Sequence, residues 1–135
     1  MTAPPGAAPG GPVGVVLMTF GSATTAAGVR DYVTSMRAAR GAPAAAADDP
    51  VVLEFEERYE RIGWSPLIDI TIAQAAALQK LLDEEHGLGA YVVSVGMLHS
   101  RPRISEAFDS VLRSGCARSV ALTLAPQFSP IVLTG

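Results

Sequence analysis

Three short apolar runs, separated by longer stretches of helical periodicity, most constrain what this chain can fold into. Val13 to Thr19 is a continuous apolar run, as expected of a strand buried on both faces. Ala90 to Val95 reads as a second strand and Ser119 to Leu124 as a third buried one. Between the first two, Thr24 or Thr25 can cap a helix running to about Ala39, with Val29, Val33 and Met36 as its apolar stripe. Gly41 stops it, and Ala42 to Ala47 form a low-complexity loop. Asp48 or Asp49 with Pro50 starts the next helix, in which Val52, Phe55, Tyr59 and Ile62 recur at helical spacing before Gly63. Trp64-Ser65-Pro66-Leu67 is a loop, and a helix over about Ile68 to Glu85 turns Ile68, Ile72, Ala75, Leu78 and Leu82 inward. After the second strand, Pro102 opens a helix with Ile104, Ala107, Phe108, Val111 and Leu112 on one face, ended by Gly115.

The resulting order is strand, three helices, strand, helix, strand. Such alternation predicts an α/β three-layer sandwich, a parallel sheet with helices on both faces joined by right-handed crossovers. Residues 1–12 are almost entirely Ala, Pro and Gly and read as a disordered tail, leaving one domain over 13–135. Pro126 and Pro130 make the last segment irregular, where a parallel sheet would normally continue with another helix and strand.

Composition narrows the function. Charged residues are 17% of the chain and the formal net charge is -3, so the basic footprint of a nucleic-acid binder is absent. The apolar runs are too short to span a bilayer, and the N-terminus lacks the basic and apolar regions of a secretory signal. One cysteine, Cys116, allows neither an internal disulfide nor an all-cysteine zinc site. The expectation is a cytoplasmic domain, with loose membrane association left open.

Open α/β sheets bind ligands outside the carboxyl ends of their strands. Three segments should meet there: Phe20-Gly21-Ser22, the loop Gly96-Met97-Leu98-His99-Ser100-Arg101-Pro102, and Ala125-Pro126-Gln127-Phe128-Ser129. His99 stands out among them, because neutral imidazole is the commonest metal ligand among side chains. A single His is too few for a permanent metal site, which needs three or four ligands, but suits a site that passes a metal onward. A plain surface His is the competing reading. Phe20-Gly21-Ser22-Ala23 could present backbone amides to an anion or be an ordinary strand-to-helix turn. Arg30, Arg37 and Arg40 can line one side of their helix, where Arg forks suit carboxylates, or simply face solvent. Trp64 could close the core, and Ser65 could reach a ligand or cap a helix. His86 suits the end of its helix, and the Glu54, Glu56, Glu57 and Glu60 run with Arg58 and Arg61 is explained by intrahelical pairs.

Four segments together resemble the N-terminal half of ferrochelatase, the family that inserts ferrous iron into a porphyrin, and above all its bacterial members that act on coproporphyrin. They are Gly14 to Ser22, Arg58 to Thr71 (with Gly63-Trp64-Ser65-Pro66-Leu67), Gly96 to Ala107, and Leu124 to Ser129. The resemblance covers about Val13 to Gly135 and implies a chelatase-like fold, one half of a two-domain ferrochelatase. It implies porphyrin-binding roles for Phe20, Arg30, Arg37, Trp64 and Ser65, and places His99 as catalytic and metal-delivering. Met97 and Leu98 are further candidates for the wall, and Arg40 for the rim. Many members carry Tyr where this chain has Phe20, which has no oxygen to ligate iron. The implied substrates are a porphyrin and ferrous iron, with no permanently bound cofactor. The His and Glu associated with insertion belong to the family's second half, so the chain reads as a piece of a longer protein or a natural half-length one. Its partner is then that second half or another copy, and the isolated chain is expected to be inactive. Two rivals remain. One is a half-size homodimeric chelatase for cobalt or nickel, whose first strand typically ends in His-Gly-Ser rather than Phe20-Gly21-Ser22. The other is a non-catalytic tetrapyrrole-binding module.

Overall fold

The computed structural model describes residues 10–124. Its elements run β1 (Val13–Thr19), α1 (Ala26–Ala38), α2 (Pro50–Ile62), α3 (Leu67–His86), β2 (Tyr91–Met97), α4 (Ile104–Arg113) and β3 (Arg118–Thr123). The strands form one parallel sheet in the order β2-β1-β3. In register, Val15 stands beside Val93 and Val120, and Leu17 beside Val95 and Leu122. The expected tail over residues 1–12 falls largely outside the described residues, and the loop at 125–130 wholly so.

Local chemistry sets the helix ends. Thr25 is extended and its hydroxyl accepts from Gly28 N, and the Asp49 carboxylate accepts from Val51 N, so each satisfies an amide that the first turn leaves free. Gly63 closes α2 in the left-handed conformation. Pro102 does not open α4 as expected. It lies in the preceding loop, where its carbonyl accepts from Met97 N, and α4 begins at Ile104 behind Arg103.

The strand alternation divides the core. Val15, Leu17, Val95 and Met97 face α3 through Ala75, Ile68, Leu78 and Leu82. Val16 faces α4 through Ala107, Val111 and Phe108, with Cys116 beneath. Gly14 and Gly96 lie on that second face. A Cβ at Gly96 would stand 2.6 Å from the Ile104 backbone, and one at Gly14 would overlap Val111, so the missing side chains let α4 lie close to the sheet. A third cluster of Ala23, Val29, Tyr32, Val33, Ala45 and Val52 joins α1 to α2 beyond the carboxyl end of β1.

Some expected core positions are solvent-exposed. β3 is exposed along its whole length, because α3 and α4 lie over β1 and β2 and leave this edge uncovered. Ile62, Ile72 and Leu112 are likewise exposed. At α3 the inward place belongs to Thr71, which is 1% exposed and whose hydroxyl donates to Leu67 O at 2.7 Å.

Candidate functional site

The carboxyl ends of β1 and β2 are stitched together past their last ladder bonds. Leu98 N donates to Thr19 O and His99 N to Phe20 O, both at 3.0 Å. Ser22 N donates to Ser100 Oγ at 3.2 Å. Gly21 allows the approach: its φ is +92°, and a Cβ there would overlap Ser100 Oγ. Two of the three expected loops therefore meet at one sheet edge.

His99 is the centre of this arrangement, only 6% exposed. Phe20 meets its ring edge-on at 4.6 Å between centroids, and Tyr32 does so at 6.4 Å. Nδ1 lies 3.1 Å from Ser35 Oγ. Arg103 Nη1 donates both to Ser35 Oγ (2.8 Å) and to Leu98 O (2.9 Å), binding α1 to the β2–α4 loop. Burial, then the charges of Arg103 and Arg40, hold the His99 pKa below the ordinary imidazole value, so the ring is neutral at neutral pH. Tyr32 is raised by burial and by Tyr59 beside it, so its phenol stays protonated. The Tyr59 and Ser22 hydroxyls are 2.8 Å apart, tying α2 to the first loop.

His99 borders a recess of about 280 Å³ that also takes in Ser22, Tyr32, Ile68, Ser100, Arg101 and Arg103. That is below the ~300–1,000 Å³ of ordinary small-molecule pockets. It has room for an edge or a substituent of a larger ligand. Among the described residues no group of three or more His, Cys, Asp and Glu side chains could hold a metal ion.

The other expected site residues lie outside this recess. Arg37 forms a two-pronged ion pair with Asp49 (2.6 and 3.0 Å), which holds the Asp49 carboxyl below its usual range. Arg30 donates through Nε to Ala45 O. Ser65 Oγ accepts from Leu67 N at the start of α3. Trp64 stacks on Tyr59, 5.8 Å between centroids and nearly parallel, and so reaches the site through Tyr59 and Ser22. Met97 is fully buried and cannot form a ligand-facing wall, because its side chain fills the α3 side of the core. Sequence reasoning missed Ser35, Tyr32 and Arg103. Arg103 carried a signal: a cation at a helix N-terminus opposes the dipole and calls for another use.

A ferrochelatase family model matches residues 12–132. Among curated proteins, the chain is 35% identical over 132 residues to Ferrochelatase of Thermus thermophilus, covering 85% of this chain and 39% of the relative. It is 33% identical over 118 residues to Coproporphyrin III ferrochelatase of Geobacillus thermodenitrificans, covering 87% and 36%. To the protein of the same description from Oceanobacillus iheyensis it is 30% identical over 119 residues, again covering 87% and 36%. The chain thus spans less than two fifths of these relatives' length.

Proposed function

Since the chain belongs to the ferrochelatase family, we propose that it forms one wall of a cleft in which ferrous iron is inserted into a porphyrin. The carrying observation is His99: buried, neutral, set where two strand-end loops are bonded together, and bordering the recess. A porphyrin is a flat, mostly apolar macrocycle with an anionic rim. Insertion requires an apolar surface, rim contacts, an acceptor for the pyrrole protons and a path for the metal. Phe20 and Ile68 supply apolar surface beside the recess, and Arg101 borders it. Iron enters this scheme as substrate, and His99 is the group that meets it or takes a proton. A proton acceptor must come within hydrogen-bond reach of the proton it removes.

Arg37 and Arg30 remain rim candidates on chemical grounds. A guanidinium carries five N–H donors, of which Asp49 engages two on Arg37 and Ala45 one on Arg30. The substrate class follows the relatives described as coproporphyrin III ferrochelatases. The opposite wall comes from a second polypeptide segment or a second copy of the chain. No helix among the described residues is long and apolar enough to cross a membrane, and the reading places the work in the cytoplasm.

The test is anaerobic. The 135-residue chain is titrated with coproporphyrin and protoporphyrin, and ferrous iron is then added over a range of protein concentrations. Porphyrin binding that His99→Ala weakens, with little insertion by the chain alone, supports a one-wall role. Insertion rising steeply with concentration supports two copies completing the site. Absence of porphyrin binding, or binding indifferent to His99→Ala and Phe20→Ala, overturns the proposal.

A further inference from the structure

The polar atoms around His99 determine more than its position. A neutral imidazole carries its proton on one nitrogen, and the hydrogen bond at the other selects which. The partner at Nδ1 is Ser35 Oγ, 3.1 Å away. The same oxygen already accepts from Arg103 Nη1 at 2.8 Å, and a guanidinium can only donate. Ser35 therefore has one hydroxyl proton left to place. Helical hydroxyls often donate back to the carbonyl four residues earlier, as Thr71 does to Leu67 O (2.7 Å) and Ser114 to Ser110 O (3.0 Å). Ser35 makes no such bond. Leu98 O, the nearby loop carbonyl, accepts from Arg103 and receives no bond from Ser35, whose hydroxyl contacts among the described residues are His99 Nδ1 and Arg103. Among the described residues Nδ1 is the acceptor that remains.

We propose that Ser35 and Arg103 are positioning residues that hold the His99 ring proton on Nε2, so that His99 first meets its ligand as a hydrogen-bond donor. Among the described residues Nε2 has no protein partner, yet no buried side-chain nitrogen or oxygen there lacks one. Nε2 is thus the ring nitrogen with no partner among the described residues, on a residue that borders the recess. An Nε2–H suits an acceptor on the ligand, such as an imine-type ring nitrogen or a carboxylate oxygen. To bind a metal or accept a proton at Nε2, the ring must give the Nε2 proton to water and take one at Nδ1. Ser35 must then turn its hydroxyl from donor to acceptor. Protons balance, and the neutral charge is kept. The serine is a gate on the basic form of His99, and Arg103 biases that gate toward closed.

This role rests on the porphyrin-metallation reading, but the tautomer is measured with neither porphyrin nor metal present, so either can fail alone. The chain has two histidines, and His86→Gln assigns the ring signals of His99. In protein labelled with ¹⁵N at histidine, at neutral pH, Nε2 should show a donor-type shift and Nδ1 an acceptor-type shift. Ser35→Ala should move the Nδ1 signal toward that of an unbonded acceptor, and Ser35→Thr should restore it. Arg103→Met, which removes the competing N–H donor and the positive charge at Ser35 Oγ, should raise the Nδ1–H share about fivefold, the ratio set by one net hydrogen bond. A donor-type Nδ1 in the wild-type chain overturns the proposal whether or not the variants fold. So does an Nδ1 signal unmoved in a folded Ser35→Ala.

Discussion

Replacing Gly21 by Ala tests how closely stability and site geometry are joined. Gly21 has φ +92°, where an L side chain is strained by about 1–2 kcal/mol. The new methyl would also overlap Ser100 Oγ and stand 3.1 Å from Ser100 N, which is backbone and cannot rotate away. The hydroxyl can escape only by leaving Ser22 N, its partner at 3.2 Å. Ser22 is buried, so the orphaned amide costs about 1–3 kcal/mol. The sum is about 2–5 kcal/mol. Gly41 is the control, since its φ is +69° with nothing within 4 Å of an added Cβ, and Gly41→Ala should cost only the backbone part. Urea unfolding followed by Trp64 fluorescence reads both, because Trp64 is the sole tryptophan and stacks on Tyr59 beside this loop. Ser100→Ala should be non-additive with Gly21→Ala, since each removes the same bond to Ser22 N. Equal costs for the two glycine variants, or additivity of the pair, would refute the picture of two interlocked loops.

Val111→Ala should cost about 2 kcal/mol for two buried methyl groups, and Gly14→Ala should be far better tolerated in that background, because the methyl it adds overlaps a methyl of Val111; urea midpoints of the double-mutant cycle decide this. His99 titrates below its ordinary 6.5 in the folded chain, beside Arg103 and Arg40 and packed by Phe20, Tyr32 and Ser35. The unfolded chain then binds more protons near that pH, so His99's contribution to stability is full above about 6.5 and is lost as pH falls toward its folded value. His99→Gln should flatten that part of the urea-midpoint profile. Arg37→Ala should let the Asp49 carboxyl rise back toward 3.8, read by NMR titration of its side chain.

Much of the frame was legible because it is local. The apolar run Val13–Thr19 is β1 to the residue, Gly63 closes α2 as expected, and of the paired cap candidates Thr24 or Thr25 and Asp48 or Asp49 the structure uses Thr25 and Asp49. Choosing Ile72 over Thr71 failed for a physical reason. The inward line of α3 runs through Ile68, Thr71, Ala75, Leu78 and Leu82, and a threonine can occupy it because its hydroxyl satisfies itself on the helix backbone. Leu112 sits a step around the helix from Val111, past the edge of the buried stripe. An apolar run does not reveal whether its strand lies at the edge or the centre of a sheet, so β3 read as buried. His99 and the meeting of its loop with Phe20-Gly21-Ser22 could be placed from the parallel topology. Ser35 could not, because it lies 64 residues from His99 and polar contacts at that range leave no periodicity.

The charges around His99 bear on whether a metal would stay. Arg103 stands on the serine that touches the ring, and its positive charge disfavours the imidazolium. The same charge repels a divalent cation. Asp31 is the one carboxylate lining the recess, and no cluster of three or more potential ligands exists among the described residues to hold the ion against that repulsion. A resident metal site collects carboxylates or thiolates and fixes its His nitrogens through second partners. Here a single neutral His has its second partner, but the charges that act on its ring are those of Arg103 and Arg40. On the proposed reading, such a setting suits an ion that is handed on to a better ligand, and a porphyrin offers four nitrogens at once. Weak metal affinity at His99 would then serve the proposed insertion, because iron held tightly there would have to be released before it could enter the ring.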